Sequence, residues 1–160
     1  GNLNDPDRNL SWVLQCSFLS SANQASLADQ RVIAVAAVSP VVNLLFDTGS
    51  GRGMQARGLL ISGSSDWVVP SGPEAIARFP GLHSQGHQLV LVQGGDHFNL
   101  RAPRSPSMPV LAPLLLAWTD AAFAAGASQT RPAPGAAPLL SSKGWGSPER
   151  VLVDASAATP

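Results

Sequence analysis

The sequence predicts an α/β domain, a parallel sheet with flanking helices, on three observations. Three short runs, Val32 to Val38 (VIAVAAV), Gly58 to Ser62 (GLLIS) and Gln88 to Val92 (QLVLV), are continuously apolar and rich in Val, Ile and Leu. That is the pattern of strands buried on both faces. Each run stops at small or polar turn residues: Ser39-Pro40, Gly63-Ser64 and Gly94-Gly95. Helical segments fall between and around the runs, and alternation of strand and helix is what the crossovers of a parallel sheet require.

The helical segments carry their own signals. Leu10 to Leu19 sets Leu10, Val13, Leu14 and Phe18 at helical spacing, with Asn9 as a candidate cap. Ser71 to Phe79 opens with Ser71 as N-cap, Pro73 in the first turn and Glu74 three residues after the cap, the spacing of a capping box. Met108 to Ala125 is the longest helical candidate. Three strands alone leave sheet edges unpaired, so the strand at Val32 to Val38 is expected to dock on polypeptide outside the sequence, and the fold to be truncated on its N-terminal side.

A chain of 160 residues with 44% hydrophobic residues is expected to form one domain with a packed core. Residues 1–128 are assigned to that domain and residues 129–160 to a Pro/Gly/Ser/Ala-rich tail. The tail has linker-like composition and is expected to pack poorly, with Trp145 and Val151 to Val153 as its candidate docking points. Ten basic residues balance ten acidic ones, and the nine Arg among them are scattered from Arg8 to Arg150, which argues against a nucleic-acid surface. Cys16 is alone, so no internal disulfide is expected, and the three histidines have no structural-zinc spacing. Neither metal nor organic cofactor is expected. The opening GNLNDPDRNL is polar and begins with Gly, as a fragment or processed product would. The apolar run Pro109 to Gly126 is long enough to raise the possibility of a membrane span. Pro113, Thr119 and Asp120 interrupt it without a flanking basic cluster, so a helix on one side of a sheet is expected instead.

Two segments carry candidate chemistry: GLLISGSSDWVVP, with Asp66, and QLVLVQGGDHF, with His97. In both, a buried strand runs into a Gly-containing turn and then presents an ionisable residue. Parallel sheets place their sites at the carboxyl ends of their strands, so both side chains are expected on one edge. A carboxylate that accepts the Nδ1 proton of an imidazole fixes its tautomer and orientation, and stabilises the imidazolium formed when Nε2 takes a proton.

The succession strand-Gly-x-x-Asp-x-x-Val-Pro, then strand-Gly-Gly-x-His-Phe, resembles the last two catalytic elements of α/β-hydrolases. The similarity is closest to bacterial dienelactone-hydrolase-like and platelet-activating-factor-acetylhydrolase-like members, and covers about Arg31 to Phe123. RVIAVAAVSPVVNLLF is similar to the strand and loop preceding the acid in those proteins. The resemblance implies the C-terminal part of an α/β-hydrolase fold, with Asp66 as acid and His97 as base of a triad ordered Ser, Asp, His along the chain. It implies a serine hydrolase of esterase or lactonase type, acting on a small-molecule ester or lactone. The family's G-x-S-x-G elbow is absent. Ser50, in Thr48-Gly49-Ser50-Gly51, imitates it, but its glycines stand one residue away instead of two and no strand precedes it. The nucleophile is therefore expected outside the chain, in the missing N-terminal half of the domain, leaving the chain inactive alone.

Plainer roles compete for the same residues. Asp66 also suits a turn cap, and His97 a structural histidine. Asp96 is a rival acid, although adjacent side chains rarely face each other as required. His83 and His87 are expected to be solvated in a polar loop; their spacing would suit a metal on a helix, which Gly81 and Gly86 oppose. Trp67 suits either a pocket wall or core packing. Asn9-Leu10-Ser11 matches a glycosylation sequon. A non-catalytic α/β-hydrolase-like binding module is the competing functional class.

Overall fold

A computed structural model of the chain describes residues 12–17, 29–43, 54, 56–77, 79, 87–98, 108–126, 139–140 and 151–153. Among them, β1 (Ala34–Val38), β2 (Arg57–Gly63), β3 (Gln88–Val92) and β4 (Val151–Val153) form one sheet in the order β1-β2-β3-β4. β1 pairs with β2, and β2 with β3, in parallel; β4 runs antiparallel along β3. The three apolar runs of the sequence thus supply the three parallel strands, and the class is α/β.

The register explains why these strands read as unbroken apolar runs. Val38, Ile61 and Val90 stand opposite one another across β1, β2 and β3, while Leu60 stands opposite Leu89. On one face Leu59, Ile61, Val90 and Val92 pack with Leu111, Leu114, Trp118 and Leu140. On the other, Leu89 and Leu91 pack with Ala75 and Phe79, with Leu60 and Ile76 at the margin. With both faces covered, the strands show no regular alternation of apolar and polar positions. β1 is less well covered, and Val35 is 42% exposed.

The long helix Met108–Gly126 covers the first face. Leu111, Leu114, Trp118 and Ala122 are buried at helical spacing, while Leu116 and Phe123 face solvent. Among the described residues, no helix is long and apolar enough to cross a membrane.

The segment after Asp66 departs from the expected helix Ser71 to Phe79. It contains the π-helical turn Gly72–Ile76, and Ser71 itself is helical and makes no side-chain capping bond. Glu74 does not close a capping box. Its carboxylate turns inward, accepting Gln15 Nε2 at 3.0 Å on Oε1, and the backbone N–H groups of Val42 at 2.8 Å and Asn43 at 2.7 Å on Oε2. Glu74 and Gln15 are both buried. One carboxylate thereby joins the loop after β1, the π turn and the helix at residues 12–17, the described part of the helix expected from Leu10 to Leu19.

The tail contributes more than its composition suggests. Gln88 bonds Leu140 reciprocally: Gln88 Nε2 donates to the Leu140 carbonyl at 3.0 Å, and the Leu140 N–H donates to Gln88 Oε1 at 2.9 Å. The amide side chain mimics a peptide group, which seats Leu140 in the core at 2% exposure. The candidate docking run Val151 to Val153 is β4; Trp145 lies outside the described residues.

His87 is not solvated. It is 2% exposed at the start of β3, where Nδ1 accepts the Gly58 N–H at 2.9 Å. An acceptor Nδ1 puts the proton of the neutral ring on Nε2, which is buried without a hydrogen-bond partner. A Cβ on Gly58 would stand 2.9 Å from that Nδ1, so this close approach needs glycine. His83 lies outside the described residues. Burial first, and then the Arg57 charge, hold the His87 imidazole below its ordinary value of 6.5. The unfolded chain therefore takes up this proton at higher pH than the folded chain does. The stabilisation is complete above about pH 6.5 and is lost as pH falls below it. Urea unfolding at pH 7.5 and pH 5.5 is expected to show lower stability at pH 5.5, with a smaller difference in His87→Gln; an equal difference in both proteins would contradict this.

Candidate acid–base site

The site lies at the carboxyl ends of β2 and β3, where two turns are stitched to each other. The Ser64 N–H donates to the Val92 carbonyl at 3.0 Å, the Ser65 N–H to the Gly95 carbonyl at 2.9 Å, and the Gly94 N–H to Ser64 Oγ at 2.8 Å. These bonds fix the relative positions of the residues that follow each strand. Gly94 has φ +70°, a left-handed conformation that costs an L-residue about 1–2 kcal/mol. The Gly-Gly of the sequence thus serves a turn that brings the next residues back across the end of the sheet.

Asp66 leaves the first turn with its carboxylate fully buried. Oδ1 accepts the N–H groups of Val68 at 3.0 Å and Val69 at 2.7 Å, so the residue is its own turn cap. Oδ2 is left for the neighbouring turn and lies 3.0 Å from His97 Nδ1. The His97 side chain is 17% exposed, against 0% for Asp66. With Nδ1 turned to Asp66, Nε2 is the nitrogen that can exchange a proton with a bound molecule. The turn-cap role and the pairing with His97 coexist because a carboxylate has two oxygens.

The rival acid does not take that place. Asp96 Oδ1 accepts the Phe98 N–H at 2.8 Å and closes the turn that carries His97. Trp67 is 69% exposed, which excludes the core-packing role. Ser50 lies outside the described residues. Among the described residues, no three His, Cys, Asp or Glu side chains gather as metal ligands would.

No protein-family model matches the chain, and comparison with curated proteins and with solved structures returns no significant match. An imidazole held at Nδ1 by a buried carboxylate can accept a proton at Nε2 and return it to a leaving group, the carboxylate stabilising the cation in between.

Two further residues at the strand ends escape sequence reasoning. Ser39, just after β1, has φ +47° and a buried hydroxyl without a partner. Ser62, opposite it in the continued register, also has a buried hydroxyl without a partner. An apolar run ending in Ser-Pro signals only a strand stop; the backbone strain at Ser39 has no single-residue signature.

Proposed function

We propose that the chain is the C-terminal part of an α/β-hydrolase, supplying the acid Asp66 and the base His97 of a serine esterase or lactonase. The observation that carries this is the 3.0 Å approach of Asp66 Oδ2 to His97 Nδ1 at the ends of adjacent parallel strands. The order along the chain, acid before base on consecutive strands, agrees with the triad order Ser, Asp, His.

His97 takes the proton of an attacking serine hydroxyl through Nε2. The oxygen bonds to the ester or lactone carbonyl carbon, and His97 then passes that proton to the departing alkoxide as the carbonyl re-forms. Water, activated by the same nitrogen, cleaves the acyl-enzyme and restores the serine. Asp66 holds the ring through both halves. The serine and its oxyanion hole come from polypeptide beyond this sequence, which contains no G-x-S-x-G. Among the described residues β1 lies at the edge of the sheet and is apolar and partly exposed, a position where further strands of such a sheet could be added.

The purified chain is expected to give no turnover of p-nitrophenyl esters, and the chain expressed together with its upstream coding region is expected to hydrolyse them. Turnover by the 160-residue chain alone, abolished by Ser50→Ala, would contradict the division of residues. An inactive extended protein that binds esters without cleaving them would favour a binding module.

A further inference from the structure

Trp67 follows Asp66 and Phe98 follows His97, so the turns that set the acid and base also set a pair of aromatic rings. Both rings are presented to solvent, at 69% and 61% exposure, whereas Phe79 and Trp118 are buried to 0% and 2%. The Trp67 and Phe98 centroids are 6.4 Å apart with the planes tilted by 55°. Phe98 also meets the His97 ring edge-on, at 5.6 Å and 90°. Acid–base transfer between Asp66 and His97 uses neither aromatic ring.

We infer that Trp67 and Phe98 form a recognition wall for a flat apolar group, an aryl substituent on the acyl or leaving side of an ester-like carbonyl, seated beside His97 Nε2. This substrate class rests on the hydrolase chemistry proposed above. Three features support it. Phe98 is in ring contact with His97, so a group lying on the wall is carried next to the base. The backbone under Trp67 is held from both sides, because Asp66 Oδ1 accepts the N–H groups of the two residues that follow it, and an anchored wall loses little freedom on binding. Tilted and edge-on aromatic contacts favour an aryl group beyond what its buried area gives, by an amount that corresponds to a preference of up to about tenfold over an aliphatic ring of similar size.

The test uses the 160-residue chain and two ketones that mimic an ester carbonyl without a scissile bond: 2-acetylnaphthalene and cyclohexyl methyl ketone. Binding is followed by ¹H–¹⁵N NMR at the Trp67 indole and the His97 ring. The naphthyl ketone is expected to shift both signals and to bind up to about tenfold more tightly than the cyclohexyl ketone. Trp67→Ala and Phe98→Ala are each expected to weaken it several-fold, and Trp67→Phe to retain most of the affinity. Both rings are exposed, so these variants leave the core intact. Equal affinity for the two ketones, shifts confined to other residues, or unchanged binding by Trp67→Ala would overturn the wall. The same spectra report the His97 tautomer. A proton on Nδ1 with no binding at Trp67 removes the wall and leaves the acid–base pair standing; a proton on Nε2 removes the pair, and the wall's role with it.

Discussion

If the chain works as the proposed serine hydrolase, Asp66→Asn in the extended protein is expected to lower kcat/KM for p-nitrophenyl acetate by about 10⁴-fold, the magnitude of this change in a serine-protease triad. The local geometry shows why so small a change has so large an effect. Oδ1 is held by two backbone donors, the N–H groups of Val68 and Val69, and only an oxygen can satisfy them. An asparagine must therefore place its carbonyl there and its NH₂ where Oδ2 stood, 3.0 Å from His97 Nδ1. Two donors cannot face each other, so Nδ1 gives up its proton, Nε2 takes it, and Nε2 can no longer accept a proton from a nucleophile. The fold should survive, because the turn cap is preserved. Circular dichroism alongside the kinetics separates this from unfolding. Parental activity in a folded Asp66→Asn protein would show that the pair is structural.

Glu74→Ala is expected to damage stability strongly, costing about 3 kcal/mol. Truncation leaves Gln15 Nε2 and the backbone N–H groups of Val42 and Asn43 without their carboxylate acceptor. An unsatisfied buried donor costs about 1–3 kcal/mol, and partial access of water to the Val42–Asn43 loop relieves part of the sum. Three segments distant in sequence lose their common anchor together. Urea unfolding followed by tryptophan fluorescence measures this, and a loss under 1 kcal/mol would mean that the loop rearranges to satisfy itself. Glu74→Gln should fall between the two, since one oxygen remains while an NH₂ opposes a donor.

The parts of the molecule legible in the sequence are those fixed by local patterning. Val32 to Val38, Gly58 to Ser62 and Gln88 to Val92 announced themselves because strands covered on both faces must be apolar throughout, and β1, β2 and β3 lie within or close to those bounds. Asp66 and His97 were legible for a related reason: each sits at a fixed short distance after such a strand, and adjacent parallel strands bring their ends together.

What the local sequence does not carry depends on partners far along the chain. Glu74 fits a capping box by spacing, yet its acceptors' partners are 31, 32 and 59 residues away. His87 has polar sequence neighbours, but the Gly58 N–H, 29 residues earlier, meets its ring. Leu140 sits in a Pro- and Ala-rich stretch, and only the Gln88 amide, 52 residues away, makes it part of the core. Nothing in the local sequence specifies these pairings.

The proton position on the two described histidines tests the central claim most directly, by long-range ¹H–¹⁵N correlation at a pH where both rings are neutral. The expected result is opposite tautomers: Nδ1–H at His97, donating to Asp66, and Nε2–H at His87, whose Nδ1 accepts from Gly58. A proton on Nε2 of His97 would contradict the acid–base pair, because the ring would then not be donating to the Asp66 carboxylate.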